Sequence, residues 1–268
     1  MKRKILILII TVFALIITII MSVLVSKSTK NNNLFIAIDN NDLDAVKIAI
    51  EKGADVNAYR HPFLYKELGT TNPTPLILAC KKGNEDIVKF LVESGADINK
   101  KDKFTGQTPL LATFHGAKQN RFKLAKYLID NGADIYISQP TSTVIHNCIY
   151  ISKNDNEYIK DEGFSLFKYL IDKDIELEIG PENALTYAAH YNNLNVVKYL
   201  IDNKYYDVDS IDSNGNTALI VATQYGRIEI VEFLLEKNAN KRIANFEGKI
   251  AYDYALEKKL EYLTIILS

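Results

Sequence analysis

His146-Asn147-Cys148 is the stretch of this sequence where side-chain types most suggest chemistry. An imidazole beside a thiol can draw off its proton and leave a nucleophilic thiolate. The spacing argues against that use, because residues two apart on a helix do not face each other. Cys148 also falls where other segments of the chain carry small residues (Ala37, Ala79, Thr113, Ala188, Ala222), so a packed, inert thiol is expected. Cys80 belongs to a segment two units away. At about 8–10 Å per packed helix layer, the two thiols lie beyond disulfide reach. The run DVDSIDSNGN, residues 207–216, has the carboxylate density of a calcium loop. Counted from Asp212, Thr217 stands where such a loop needs Gly and Thr223 where it needs Glu. It reads instead as a turn shaped by Asn214 and Gly215. His61, His115, His146 and His190 show no metal-ligand spacing. Neither G-x-x-x-x-G-K nor G-x-G-x-x-G occurs. No catalytic residue, metal, cofactor or small-molecule substrate is therefore expected, and the chain is read as a non-enzyme.

The elements that carry these residues begin with a sharp boundary. Lys2, Arg3 and Lys4 form a basic flank over 1–4, and residues 5–25 carry no charge, Pro or Gly. At about 1.5 Å per residue the apolar run is roughly 32 Å long as a helix, enough to cross a hydrocarbon core. It exceeds the apolar region of a cleaved signal peptide and lacks a small-residue cleavage site, so an uncleaved membrane anchor is preferred over a cleaved leader. Three basic residues before the span and two after it, Lys27 and Lys30, place the N-terminus in the cytoplasm and the rest outside it. A polar linker is assigned to 26–31. Five of the 32 basic residues and none of the 33 acidic ones precede position 31. The remainder is thus acidic, which disfavours nucleic-acid binding. The Ile-, Asn- and Lys-rich usage suggests an AT-rich, bacterial genome.

Beyond the linker the chain repeats. KYLID recurs at 126–130, 168–172 and 198–202, each time closing an apolar helical pattern. Related words, KIAIE at 47–51, KFLVE at 89–93 and EFLLE at 232–236, take the same place. EKGADVN, ESGADIN and DNGADIY follow three of these words, and EKNANKR follows a fourth. Their Gly or Asn suits the left-handed residue that ends a helix. Upstream, TPLILA, TPLLAT and TALIVA start at Thr74, Thr108 and Thr217. Thr before Pro75 or Pro109 reads as an N-cap followed by a first helical turn.

These words resemble the ankyrin repeat, whose signature is T-P-L-H-x-A at a period of about 33 residues. The corresponding positions are Asn32, Thr74, Thr108, Thr143, Asn183, Thr217 and Ile250. The two long intervals contain an insertion in the first finger, 58–72, and one between the helices of the fourth repeat, around 151–163. That second insertion makes the KYLID spacing uneven. The resemblance covers 32–268, as six repeats and a C-terminal capping unit. It implies an all-α ankyrin-repeat solenoid of stacked helix-turn-helix units with β-turn fingers, here preceded by one transmembrane helix. In the sixth repeat Leu219, Ala222, Ile230, Val231, Leu234 and Leu235 are the expected core.

The resemblance also implies a function: a membrane-anchored scaffold that binds a protein partner on its concave face. The alternative is a secreted ankyrin-repeat effector or inhibitor released by signal-peptide cleavage. In the ankyrin pattern, the seventh and eighth positions after the motif Thr point to that face. The partner-binding candidates chosen there are Lys81, Lys82, His115, Tyr150, His190, Tyr191, Gln224 and Tyr225. They change from polar to aromatic along the chain, and Tyr150, His190, Tyr191 and Tyr225 are expected to be contiguous.

Overall fold

The structure, a computed structural model, describes residues 2–60, 71–116, 120–136, 144–151, 157–173, 177–179 and 182–268. It divides into two compact units, one ending at Asp134 and one starting at Ile135. In the first unit helices alternate between long-range packing partners: α1 (Lys2–Asp39), α2 (Leu43–Glu51), α3 (Pro75–Lys82), α4 (Glu85–Glu93), α5 (Pro109–His115) and α6 (Arg121–Asp130). Each odd helix packs on the even helix that follows it, and α1, α3 and α5 pack in series. The second unit repeats the plan with α7 (Val144–Ile151), α8 (Glu157–Ile171), α9 (Ala184–His190), α10 (Leu194–Asp202), α11 (Ala218–Gln224), α12 (Ile228–Glu236), α13 (Ala251–Glu257) and α14 (Glu261–Leu267). There α7, α9, α11 and α13 pack in series.

The repeated motif position starts the helices. Thr74, Thr108, Asn183 and Thr217 are N-caps whose side chains accept from Ile77, Leu111, Thr186 and Ile220 N–H respectively. Each satisfies a donor that the first helical turn leaves open. At Ile250, which has no oxygen to offer, Asp253 Oδ2 instead accepts from the Ile250 N–H at 2.9 Å. Thr143 lies outside the described residues. The closing words act as expected: Gly53, Gly95, Gly132 and Asn238 all have positive φ. In the fifth repeat Lys204 takes that conformation without any Gly or Asn.

The Asn of the GAD-x-N phrase links neighbouring repeats. Asn57 Oδ1 accepts from Asp97 N–H at 2.7 Å, and its Nδ2 donates to Gly95 O. Asn99 repeats both bonds one unit on, to Asp134 and Gly132. The fingers are held by side-chain caps too. Asp212 Oδ1 accepts from Asn214 and Asn216 N–H, so this carboxylate closes a turn, as the sequence indicated. One finger is a short hairpin, β1 (Glu178–Ile179) antiparallel to β2 (Glu182–Asn183). It is a small addition to a fold that is otherwise helical.

The core follows the repeat. The KYLID leucines Leu128, Leu170 and Leu200 are fully buried on α6, α8 and α10. The small positions Ala37, Ala79, Thr113, Cys148, Ala188 and Ala222 are buried as well. In α12, Leu235 is only half-buried, and Phe233 is buried in addition to Ile230, Val231 and Leu234.

Three boundaries differ from those expected. The segment 26–31, expected as a linker, is helical, because α1 runs unbroken from Lys2 to Asp39. Asn32 is therefore inside a helix and is not an N-cap. The insertion around 151–163 is not all loop, since α8 starts at Glu157. Of the first-finger insertion, residues 61–70 lie outside the described residues, and His61 with them. Within α1, residues 12–39 include a stretch long and apolar enough to cross a membrane, with mean hydropathy 2.1 and none of it buried.

Candidate functional site

Equal-length helices bring equivalent residues to equivalent heights. The helices α9, α11 and α13 each have seven residues, and Tyr191, Tyr225 and Lys258 are their C-caps. Stacking of the helices then lines these caps up in the second unit. His190 lies between two tyrosines, with ring centroids 4.4 Å from Tyr191 and 4.0 Å from Tyr225. The interplanar angles, 19° and 20°, make it a three-ring stack. Tyr150, at the end of α7, meets Tyr191 edge-on at 5.2 Å. The four residues expected to be contiguous are so, and Tyr150 and Tyr225 are exposed. Gln224 is half-buried at the end of α11 and belongs to the same edge.

Further residues build this ladder. Glu182, on the β-hairpin, holds His190 Nδ1 at 3.0 Å. Arg227 Nε donates to the His190 carbonyl at 3.1 Å. Lys258 Nζ is 5.6 Å from the Tyr225 ring centroid, within cation–π range. Tyr187 lies beneath, 4.6 Å from Tyr191 and 4.4 Å from His146. Burial pushes the His146 imidazole down to about 4. Burial is also the main force raising the Tyr187 phenol, with the neighbouring Tyr191, Glu182 and Tyr150 adding to it. Both rings are thus neutral at pH 7. Counting eight from Ile250 reaches Lys258, so that residue had a sequence signal. Glu182 had none, because its role depends on the hairpin turning back over α9.

In the first unit the equivalent edge is ionic. Asp39, the last residue of α1, accepts from the buried Arg60 and pairs with Lys82 Nζ at 3.2 Å. Lys81 is half-buried. Burial lowers its ammonium pKa, and the Asp102 carboxylate opposes that. Gln107 Nε2 is 2.7 Å from His115 Nδ1. Burial, then the charges of Lys81 and Arg121, holds the His115 ring below its ordinary value. Gly116 packs directly on the Lys81 backbone. Lys81, Lys82 and His115 are therefore held within a network, and Lys82 is an ion-pair partner.

The imidazole of His190 is covered on both faces by tyrosine rings. Cys80 and Cys148 are fully buried, and burial raises both thiols far above the usual range. Among the described residues no group of three His, Cys, Asp or Glu could hold a metal ion.

What these stacked helix pairs with capped first helices define is a repeat scaffold. A family model described as ankyrin repeats (3 copies) matches residues 34–139 and 157–245, and the chain belongs to the ankyrin-repeat family. The ankyrin repeat protein OPG189 of Variola virus is 25% identical over 238 residues, covering 84% of this chain and 38% of the viral protein. Alpha-latroinsectotoxin-Lt1a of Latrodectus tredecimguttatus is 41% identical over 51 residues, which is 19% of this chain and 4% of the toxin. The chain thus spans well under half the length of these known relatives. The crystal structure of the human ASB11 ankyrin repeat domain superposes with a TM-score of 0.67 at 22% identity. That superposition covers 88% of this chain and 97% of the human domain. These relatives are viral and arachnid, so the bacterial source expected from composition has no support among them.

Proposed function

We propose that this chain is a membrane-anchored ankyrin-repeat scaffold that captures a protein partner on the ladder Tyr150–His190–Tyr191–Tyr225. The observation that carries this reading is the stack of His190 between Tyr191 and Tyr225, contributed by α9 and α11 and extended by Tyr150 of α7. Tyrosines bring large, stiff contact area with a polar tip and dominate many interfaces. Here they are already ordered by one another and by Glu182, so little side-chain entropy remains to be lost on binding. Gln224 adds to the ladder's own edge, and Lys81, Lys82 and His115 are candidate contacts of the first unit by itself.

The anchor is residues 5–25, with the N-terminus in the cytoplasm and the repeats on the far side. The unbroken α1 favours an anchor over a leader cleaved near residue 26, since cleavage there would cut within a helix. A reporter fused after Ser268 reads the orientation, and the mass of the mature N-terminus separates anchor from leader. For the ladder, Tyr191→Ala and Tyr225→Ala are combined, and partner co-purification is compared with melting temperature. Capture is expected to fall by about 30-fold or more, as truncation of a hot spot costs about 2 kcal/mol or more. Normal capture by the double variant refutes the ladder as a binding face. Outright unfolding would make these rings structural instead.

A further inference from the structure

We propose that the junction where α1 enters the first repeat is a binding site for the phosphodiester headgroups of anionic phospholipids, so that the first repeat docks on the bilayer surface. This rests on the reading of residues 5–25 as a membrane span. The unbroken helix fixes the heights. With Val25 as the last apolar residue, Lys27 rises about 3 Å and Lys30 about 7.5 Å beyond the hydrocarbon edge. The headgroup layer on each side is about 5–8 Å deep, so both ammonium groups fall in or at the edge of it.

The first repeat is drawn to the same level. Asn31 Oδ1 accepts from the Asp55 N–H at 2.8 Å, and Lys27 Nζ is 3.9 Å from Asp55 Oδ2. A Cβ built on Gly53 would lie 3.6 Å from Lys30 Nζ. Two open hollows flank α1 at this point and share Lys27. One presents Ser28, Asn31, Asn32 and Tyr59. The other presents Ser26 and Lys30 beside Gly53. The hydroxyls of Ser26 and Ser28, the side-chain amide N–H of Asn31 and the ammonium groups of Lys27 and Lys30 are donors of the kind that phosphodiester oxygens accept from.

The charge is right for an anion. The Lys27–Asp55 pair is long and its side chains are 60% and 42% exposed, so it leaves Lys27 largely free to attract a second partner. Among the described residues no carboxylate is within ion-pair distance of Lys30. Tyr59, whose amphipathic ring suits the bilayer interface, carries the basic finger of the second repeat behind it. Lys100 Nζ is 4.8 Å from the Tyr59 ring centroid, and Tyr59 Oη donates to the Lys101 carbonyl.

The test uses the full chain in vesicles of phosphatidylcholine alone and of phosphatidylcholine with phosphatidylglycerol. Resistance to carbonate extraction from the neutral vesicles reads the span by itself. Spin-labelled phosphatidylglycerol and phosphatidylcholine then read which lipid is immobilised on the protein. Phosphatidylglycerol is expected to be favoured about fivefold, as one juxtamembrane lysine is worth roughly that factor. Lys27→Gln with Lys30→Gln should lower the ratio at unchanged helicity, leaving only the share due to Lys2, Arg3 and Lys4 at the other end of the span, and Lys27→Arg with Lys30→Arg should keep it. Insertion without headgroup preference, or a preference unchanged by the Gln pair, overturns the site and leaves the span standing. Loss of the preference to inorganic phosphate at constant ionic strength assigns the hollows to a free anion and overturns the lipid. Failure to insert into the neutral vesicles overturns the span and the site together.

Discussion

Replacing Gly116 by Ala is a sharp test of how the first unit is packed. Gly116 has φ −98° and ψ −149°, so left-handed strain is not what opposes a side chain there. The obstacle is steric. An added Cβ would stand 2.2 Å from Lys81 O, 2.6 Å from Lys81 Cα and 2.7 Å from Lys81 C. Carbon contacts are most favourable at about 3.5–4.0 Å, so the end of α3 and the end of α5 must part by more than about 1 Å. Overpacking costs about 1–3 kcal/mol, and an obstacle made of backbone puts this case near the top of that range. The control is Gly132→Ala. Gly132 has φ +92° and nothing within 4 Å of a built Cβ, so it carries only left-handed strain of about 1–2 kcal/mol. Urea unfolding of the full chain in detergent measures both losses. His115 supplies a second readout, because burial and the nearby Lys81 hold its pKa down. Parting the helices admits water, so Gly116→Ala should raise the His115 titration midpoint, and Gly132→Ala should leave it alone. A Gly116→Ala protein with wild-type stability and an unmoved His115 midpoint would refute the close approach.

The remaining predictions concern the second unit. Leu234→Ala removes a fully buried side chain from α12 and should lower the unfolding free energy by about 2–5 kcal/mol, measured as a shifted denaturant midpoint at unchanged slope. His146 makes stability depend on pH. Its folded pKa is down at about 4, below the ordinary value of 6.5, so only the unfolded chain binds the proton between those two values. Above pH 6.5 the residue contributes nothing, and as pH falls from 6.5 towards 4 stability is lost. The full shift is worth about 3 kcal/mol, and the half-exposed position reduces that to roughly 1 kcal/mol. His146→Phe should flatten this part of the stability profile, and an unchanged slope would remove His146 as its source.

The features legible in the sequence are those that one repeat must share with the next. Thr74, Thr108 and Thr217 are readable as caps because a hydroxyl before a helix has one main use there. The KYLID leucines are readable as core because their spacing from the caps recurs. The aromatic ladder was legible for the same reason: equivalent positions on stacked helices meet. What escaped depends on context that no repeat carries. SKSTKNNN is poor in strong helix formers and rich in residues that favour caps and turns, which is why it reads as a linker. Yet helix is already nucleated on its apolar side, and Leu34, Phe35 and Ile38 are anchored in the core on the other. Propagation across the gap is then far easier than starting a new helix. The start of α8 at Glu157 was hidden because the insertion has no counterpart to align with. Glu182 was hidden because a two-residue hairpin decides where its carboxylate points.

The unbroken α1 changes what the proposed anchor could do. A flexible six-residue linker would let the repeats roam over roughly 13 Å in any orientation. A helix instead fixes both distance and azimuth, each residue turning the chain by about 100°. Lys27, Asn31, Leu34 and Ile38 follow one another at spacings of four, three and four, the spacing of a single helix face. That face changes character along its length. Leu34 and Ile38 are fully buried in the first repeat. Asn31 bonds the Asp55 backbone, and Lys27 reaches the Asp55 carboxylate. The direction in which Lys27 points is therefore set by the packing of Leu34 and Ile38, about two and three turns further on. The phase of α1 that builds the hydrophobic core also brings Lys27 and Asn31 to the loop that follows α2.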